Sequence, residues 1–106
     1  MNILLDQGTP VQLRHWLSAH WVSTTYEQGW SHVTNQDLFL LAGEQGYRLL
    51  IATDINLRYQ QNLQPPSLAI LVLSTTSWPR IKDGAEEMAT VITSIRPGEY
   101  CELRIP

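Results

Sequence analysis

The chain has 106 residues and a formal net charge of -3, with 7 Lys and Arg against 10 Asp and Glu. A length of this order is typical of one domain, so we expect residues 1–106 to form a single domain. Hydrophobic residues make up 43% of the chain, which is enough for a packed core and argues against wholesale disorder. The acidic balance argues against unspecific coating of nucleic acid, which needs many cationic contacts to phosphates. The single cysteine excludes an internal disulfide framework and a multi-cysteine zinc site.

No segment of the sequence is typical of export or membrane insertion. The N-terminal Met-Asn-Ile-Leu-Leu-Asp lacks a basic region, unlike a signal peptide. The apolar run from Leu68 to Leu73 is far shorter than the roughly 18 residues that a membrane span needs. We therefore expect a cytoplasmic protein without membrane contact.

The first part of the chain predicts a strand, a helix and a second strand. The apolar run from Ile3 to Leu5 is typical of a strand that is buried on both faces. Thr9 is then the expected N-cap of a helix, with Pro10 at its first position. A second strand is predicted from Trp21 to Thr24, and a loop from Tyr26 to His32.

The middle of the chain repeats this alternation. Thr34 is the expected N-cap of a second helix, which Gly46 ends. The apolar residues from Leu49 to Ala52 predict a third strand, and a polar helical turn follows from Ile55 to Leu63. The run from Leu68 to Leu73 predicts the fourth strand.

The last part predicts one helix and an edge strand. Ser77, Trp78 and Pro79 open a helix whose buried face comprises Ile81, Ala85, Met88 and Ile92. Alternation of apolar and charged residues from Cys101 to Ile105 predicts a half-exposed edge strand. Strands that alternate with helices indicate an α/β fold, with a mainly parallel sheet of about five strands and helices on both faces.

Three acidic residues are candidates for a metal site. Asp6 and Asp54 end the first and third predicted strands, and Asp37 lies in the first turn of the helix after the second strand. Parallel strands present their carboxyl ends at one edge of the sheet, where ligands bind. Three carboxylates meeting there would repel one another unless protons or a cation intervened, and Mg²⁺ or Mn²⁺ suits such oxygen ligands. A metal held in this way can activate water for attack on a phosphodiester.

Each of these acids also has a purely structural interpretation. Asp37 is three residues after the N-cap Thr34, where an acid favours the helix dipole. Asp54 is a possible N-cap of the turn that follows it. Asp6 is able to accept hydrogen bonds from nearby backbone N–H groups. The sequence leaves both interpretations open.

The segment from Thr53 to Asn62 is unusually rich in amides. Amide oxygens can ligate metals or bind bases, and Arg58 is able to hold a phosphate. A polar, solvated helix face is the alternative, although such a face usually favours Lys and Glu. The candidate substrate-binding residues are Arg58, Gln60, Gln61 and Asn62.

Tryptophan placement adds one further candidate. Trp30, in a glycine-containing loop, is the expected residue for stacking on a base or contacting a partner. Trp16 is at helical spacing with Leu13 and Leu17, so we expect it in the core.

Three segments of the sequence together resemble one family. Ile3-Leu4-Leu5-Asp6-x-x-x-Pro10, the Asp37-Leu38 helix start and Leu50-Ile51-Ala52-Thr53-Asp54 resemble the small PIN-like proteins described as nucleases of toxin–antitoxin systems. The order and spacing match over nearly the whole chain. The resemblance implies a PIN-like three-layer sandwich and a Mg²⁺- or Mn²⁺-dependent endoribonuclease that acts on RNA, with a small antitoxin as partner. It also implies that Asp6, Asp37 and Asp54 are catalytic metal ligands, with Asn56 as an auxiliary ligand.

The sequence departs from the family pattern at two positions. Gln7 replaces the usual Glu after the first acid, and Asn56 replaces the usual second Asp after the third strand. A site with fewer charges binds a divalent cation more weakly. A non-catalytic PIN-like interaction module, paired with a partner or with itself as a homo-oligomer, is therefore the alternative. A receiver-like phosphoacceptor domain fits less well, because it wants a lysine after a late strand and Lys82 lies in a predicted helix.

Overall fold

Five parallel strands form the centre of the computed structural model, which describes residues 1–106. The strands are β1 (Asn2–Leu5), β2 (Trp21–Thr24), β3 (Leu49–Ala52), β4 (Ala69–Leu73) and β5 (Tyr100–Leu103). Their order across the sheet is β2-β1-β3-β4-β5, and every neighbouring pair is parallel. The predicted α/β class and the five-stranded parallel sheet are therefore confirmed.

Helical segments connect the strands, because parallel neighbours require crossover connections. There are four α-helices: α1 (Thr25–Gln28), α2 (Asn35–Glu44), α3 (Trp78–Asp83) and α4 (Ala85–Ser94). Two 3₁₀ helices complete the fold, the first at Val11–Trp16 and the second at Ile55–Leu63. None of these helices combines the length and the apolar character that a membrane span requires.

Two hydrophobic cores lie on opposite faces of the sheet. The first core joins alternate strand residues such as Ile3 and Leu71 to the first 3₁₀ helix, α3 and α4. The second core joins the intervening strand residues, such as Leu50 and Ile70, to α2 and the second 3₁₀ helix. The fold is thus a three-layer sandwich, and burial on both faces explains why β3 and β4 are uninterrupted apolar runs.

The predicted start of the first helix is wrong. The Thr9 hydroxyl donates a hydrogen bond to the carbonyl of Ile51 in β3 at 3.1 Å, so it caps nothing. Pro10 occupies the N-cap position instead, and no side chain caps this helix. The 3₁₀ segment buries Leu13 and leaves Trp16 half exposed, so Trp16 is not the core residue that helical spacing predicts.

Two other helical predictions need correction. The residues predicted as a loop from Tyr26 begin inside α1, a single turn that follows directly from β2. The predicted last helix is two helices, because Gly84 ends α3 and precedes α4. Glycine is a poor residue for a helix interior, which favours a break at this position.

The strand order places a topological switch point between β1 and β3. From β1 the chain crosses to β2 on one side, and it then returns to β3 on the other side. This order is that of flavodoxin-like doubly wound sheets, in which ligands bind beyond the carboxyl ends of the strands at the switch point. A ligand-binding site is therefore expected at the residues that follow β1 and β3.

Candidate functional site

Asp6 and Asp54 follow the two strands at the switch point. The backbone N–H of Asp6 donates to the carbonyl of Ile51 at 2.9 Å, which extends the pairing of β1 with β3 and fixes Asp6 at this edge. The Oδ1 atom of Asp6 accepts from the N–H of Gln7 at 2.8 Å. The Oδ1 atom of Asp54 accepts from the N–H of Asn56 at 2.9 Å, so Asp54 caps the second 3₁₀ helix. Each carboxylate keeps its Oδ2 atom without a hydrogen bond from the protein.

The two carboxylates interact electrostatically. Burial raises the pKa of Asp6, the hydrogen bond from Gln7 opposes that increase, and the negative charge of Asp54 raises the pKa of Asp6 further. A carboxylate that is partly desolvated and faces a like charge favours a proton or a cation. The structure therefore places two of the three predicted acids at the same edge of the sheet, after the neighbouring strands β1 and β3.

Asp37 lies apart from this pair. It is the third residue of α2, where its backbone N–H donates to the Thr34 Oγ1 atom at 3.2 Å. Its side chain is exposed, and the charges that act on Asp6 do not include it. No group of three or more His, Cys, Asp or Glu side chains is close enough to hold a metal ion. The structure thus confirms Thr34 as the N-cap, and the ligand role of Asp37 stays a prediction.

Arg58 is paired with β5 rather than free. Its Nε and Nη2 atoms donate to the two carboxylate oxygens of Glu102, at 2.9 and 2.5 Å. The Tyr100 hydroxyl donates to the same carboxylate at 2.7 Å. These bonds lower the pKa of Glu102 and raise the pKa of Arg58. In this arrangement Arg58 ties the second 3₁₀ helix to β5.

The amides of the second 3₁₀ helix divide into one engaged group and three free ones. The Gln61 Nε2 atom donates to the carbonyl of Arg58 at 3.0 Å. The side chains of Asn56, Gln60 and Asn62 form no hydrogen bond within the protein. Asn56 and Asn62 are exposed and Gln60 is half-buried, so these three amides remain available to a ligand.

A cleft of about 490 Å³ opens beside Asp6, between the carboxyl ends of β1 and β2. Gln7 and Thr24 line it together with Tyr26 and Glu27, and the Tyr26 side chain is 82% exposed. The cleft runs past Tyr26 into a second depression that His32 lines. It therefore offers a polar wall next to Asp6 and an aromatic ring at its mouth.

Glu27, which is not among the predicted site residues, is held at this cleft by hydrogen bonds and an ion pair. Its Oε1 atom accepts from the Thr24 N–H at 2.9 Å, and the Thr24 Oγ1 atom accepts from the Glu27 N–H at 3.0 Å. Arg14 pairs with the same carboxylate and lowers the pKa of Glu27. The spacing Thr-x-x-Glu is the sequence signal that predicts this capping box.

Comparisons with protein-family models, with curated proteins and with solved structures give no match to this chain. The resemblance to PIN-like proteins therefore stays a prediction from three sequence segments.

Proposed function

We propose that this protein is a Mg²⁺- or Mn²⁺-dependent endoribonuclease of the PIN-like class, acting in the cytoplasm. The observation that carries the proposal is the pair of interacting carboxylates, Asp6 and Asp54, at the switch point of the sheet. Mg²⁺ commonly takes one or two protein carboxylates and completes its shell with water and substrate phosphate oxygens. Two carboxylates whose Oδ2 atoms accept no hydrogen bond from the protein fit that donor set, and Asn56 offers a neutral oxygen two residues beyond Asp54.

The residues around the pair have separate roles in this proposal. A bound divalent cation supplies Lewis-acid stabilisation of the phosphodiester and lowers the pKa of a bound water. Asp6 and Asp54 hold the cation through their free oxygens. The Tyr26 ring at the mouth of the cleft provides a face on which an RNA base stacks. The free amides of Gln60 and Asn62 are able to contact the bases or sugars of the RNA.

The proposal is tested by cleavage of end-labelled single-stranded RNA in Mn²⁺, in Mg²⁺ and in EDTA. We expect Asp6→Asn and Asp54→Asn to reduce cleavage by at least about 100-fold, since even outer-shell changes at metal sites cost up to that factor. Asp83→Asn is the matched control, because Asp83 is an exposed acid at the end of α3. Equal cleavage by the wild type and Asp6→Asn would remove the proposed mechanism.

The role of Asp37 is decided in the same assay. Asp37 is exposed on α2, so its substitution by Asn should not disturb the fold. Normal cleavage by Asp37→Asn would indicate a site built on two carboxylates. A loss as large as that of Asp54→Asn indicates that α2 supplies a third ligand in the metal-bound state. Calorimetric titration with Mn²⁺ reports binding without requiring cleavage.

A non-catalytic interaction module is the second candidate function. Val11 and Tyr26 both line the cleft beside Asp6, and both are large apolar side chains that are mostly exposed. Exposed apolar groups that cluster beside a cleft are typical of protein-binding surfaces. A small antitoxin or a second copy of the chain is the partner this surface suits. If this is the function, calorimetry should detect no binding of Mn²⁺ at millimolar concentration. Light scattering should detect a complex with the partner or with a second copy, and Tyr26→Ser should weaken that complex.

A further inference from the structure

A second cleft of about 490 Å³ lies at the opposite edge of the sheet, where the strands begin. Trp21, the first residue of β2, and Asn2 of β1 line it. Two arginines also line it: Arg48, which immediately precedes β3, and Arg96, in the connection from α4 to β5. None of its nine lining residues is acidic, although the whole chain carries a net charge of -3.

The two arginines of this cleft are unpaired. Arg14 and Arg58 form ion pairs with glutamates, and Arg80 donates to the carbonyls of the last two residues. The guanidinium groups of Arg48 and Arg96 form neither an ion pair nor a hydrogen bond. Arg48 follows α2 and Arg96 follows α4. The dipole of a helix favours a cation near its C-terminal end, but neither guanidinium group donates a hydrogen bond to a carbonyl there. Their donors therefore remain free for a ligand.

An exposed indole stands beside these charges. Trp21 is 78% exposed, and its backbone is opposite Asn2 in the sheet. On the other side of Asn2, the Arg48 N–H donates to the Asn2 carbonyl at 2.9 Å. Trp21 and Arg48 are therefore separated by two strand spacings, or about 10 Å between backbones, and the sheet fixes both.

We infer that this cleft binds a nucleotide, with its phosphate on Arg48 and Arg96 and its base against Trp21. Guanidinium groups bind phosphate oxygens through charge-assisted, often bidentate hydrogen bonds. An exposed tryptophan offers the aromatic face on which any base stacks. A ligand pocket of small-molecule size spans about 300–1,000 Å³, so the volume suits one nucleotide unit.

The ring and the charges together favour a nucleotide over an acidic peptide. A peptide carboxylate would use the arginines but would leave the indole without a planar partner. The nucleotide is either free or the 5′-terminal unit of an RNA strand, since both present the same phosphate and base. This inference concerns the edge opposite Asp6 and Asp54, so it stands whether or not the proposed nuclease activity is found.

The test is a binding titration in EDTA, which removes any metal-dependent cleavage. The probes are adenosine 5′-monophosphate, adenosine, inorganic phosphate, and one short oligoribonucleotide with or without a 5′-phosphate. Tryptophan fluorescence and calorimetry report binding. The variants are the double substitution Arg48→Ala with Arg96→Ala, and Trp21→Leu. Arg104→Ala is the matched control, because Arg104 is an exposed arginine that follows β5 at the other edge.

We expect the 5′-phosphorylated probes to bind more tightly than adenosine or inorganic phosphate. The double arginine variant should weaken binding by at least about tenfold, since each charge-assisted hydrogen bond lost is worth that factor or more. Trp21→Leu should weaken binding and remove most of the fluorescence change, and Arg104→Ala should leave both unaltered. Binding of the free nucleotide alone assigns a small-molecule ligand, and tighter binding of the phosphorylated strand assigns an RNA end.

Two results would overturn the inference. The first is no binding of either phosphorylated probe to a wild-type protein that gives a cooperative thermal transition. The second is a loss in Arg104→Ala as large as that in the double variant, which would show that net charge rather than the cleft attracts the probe.

Discussion

The ionised carboxylate of Asp6 destabilises the folded protein, because its burial removes water from the charge. Its pKa is raised, so the folded protein binds a proton at Asp6 more tightly than the unfolded chain does. Stability therefore falls as the pH rises from the unfolded pKa through the folded pKa, and the penalty is absent when both states are protonated. We expect Asp6→Asn to raise the melting temperature in EDTA at pH 7 by about 2–4 °C, the shift that roughly 0.5 kcal/mol produces in a domain of this size.

The pH dependence and one control make this prediction specific. At pH 3 the gain of Asp6→Asn should nearly vanish, because Asp6 is then protonated in both states. Asp37→Asn should change the melting temperature in the opposite direction at pH 7, since it removes an acid that favours the dipole in the first turn of α2. A lower melting temperature for Asp6→Asn at pH 7 would show that the Asp6 carboxylate stabilises the fold.

Gly98 is held in a conformation and a space that other residues do not fit. Its φ is +80°, and a Cβ atom there would lie 2.9 Å from the carbonyl oxygen of Pro66. Gly29 has a similar φ of +77° with open space around it. We expect Gly29→Ala to lower the free energy of unfolding by about 1 kcal/mol through backbone strain alone. Gly98→Ala should cost about 2–3 kcal/mol in urea unfolding, because the contact with Pro66 adds to that strain. Equal losses would mean that the Pro66 segment moves freely.

The strands were more predictable than the helices. The bounds of β2 and β3 match the predicted runs from Trp21 to Thr24 and from Leu49 to Ala52. All four residues of β3 are buried, and a strand that is buried on both faces leaves an uninterrupted apolar run that is visible without any knowledge of its neighbours. This reason does not apply to β2, which is an edge strand and only partly buried. Whether a short polar turn forms an α- or a 3₁₀ helix depends on hydrogen bonds one residue apart, and the sequence does not resolve that difference.

Side-chain neighbours decided where the helix predictions failed. The Thr9 hydroxyl could accept a hydrogen bond from a helix N–H or donate one to a carbonyl of β3. It donates to the carbonyl of Ile51, which lies beside it only in the folded sheet. Trp30, the tryptophan predicted to stack on a base or contact a partner, is half-buried and packs edge-to-face on Tyr47, with ring centroids 6.1 Å apart. Trp21 is exposed instead, because it begins an edge strand.

The capping box of α1 controls one wall of the cleft beside Asp6. Thr24→Ala removes the hydroxyl that accepts from the Glu27 N–H, and we expect a loss of about 1 kcal/mol in the free energy of unfolding. Thr24→Ser keeps that hydroxyl and should stay within about 0.5 kcal/mol of the wild type. Urea denaturation measures both variants. A loss in Thr24→Ser as large as that in Thr24→Ala would assign the effect to the Thr24 methyl group.

At the scale of the whole molecule, the parallel sheet separates two edges with different chemistry. The carboxyl edge holds the interacting acids Asp6 and Asp54, and the amino edge holds the unpaired Arg48 and Arg96. The sequence predicted that Asp6, Asp37 and Asp54 converge at the carboxyl edge. The structure places Asp6 and Asp54 after the neighbouring strands β1 and β3, and Asp37 apart from them in α2. The sequence did not predict the amino-edge cleft, because Trp21, Arg48 and Arg96 come from three distant segments that only the folded chain brings to one cleft.

The sheet also separates the two hydrophobic cores, which leads to a prediction about coupling. Ile3 lies in the first core and Ile70 in the second, and both are fully buried. They belong to β1 and β4, on opposite faces and separated by β3. Ile3→Val and Ile70→Val should each lower the free energy of unfolding by about 0.5–1.5 kcal/mol. Because the cores share no side chains, the double variant should equal the sum of the single losses within about 0.5 kcal/mol. Urea denaturation of the wild type, the two single variants and the double variant measures this coupling energy. A deviation from additivity larger than about 0.5 kcal/mol would mean that strain passes through β3 from one core to the other.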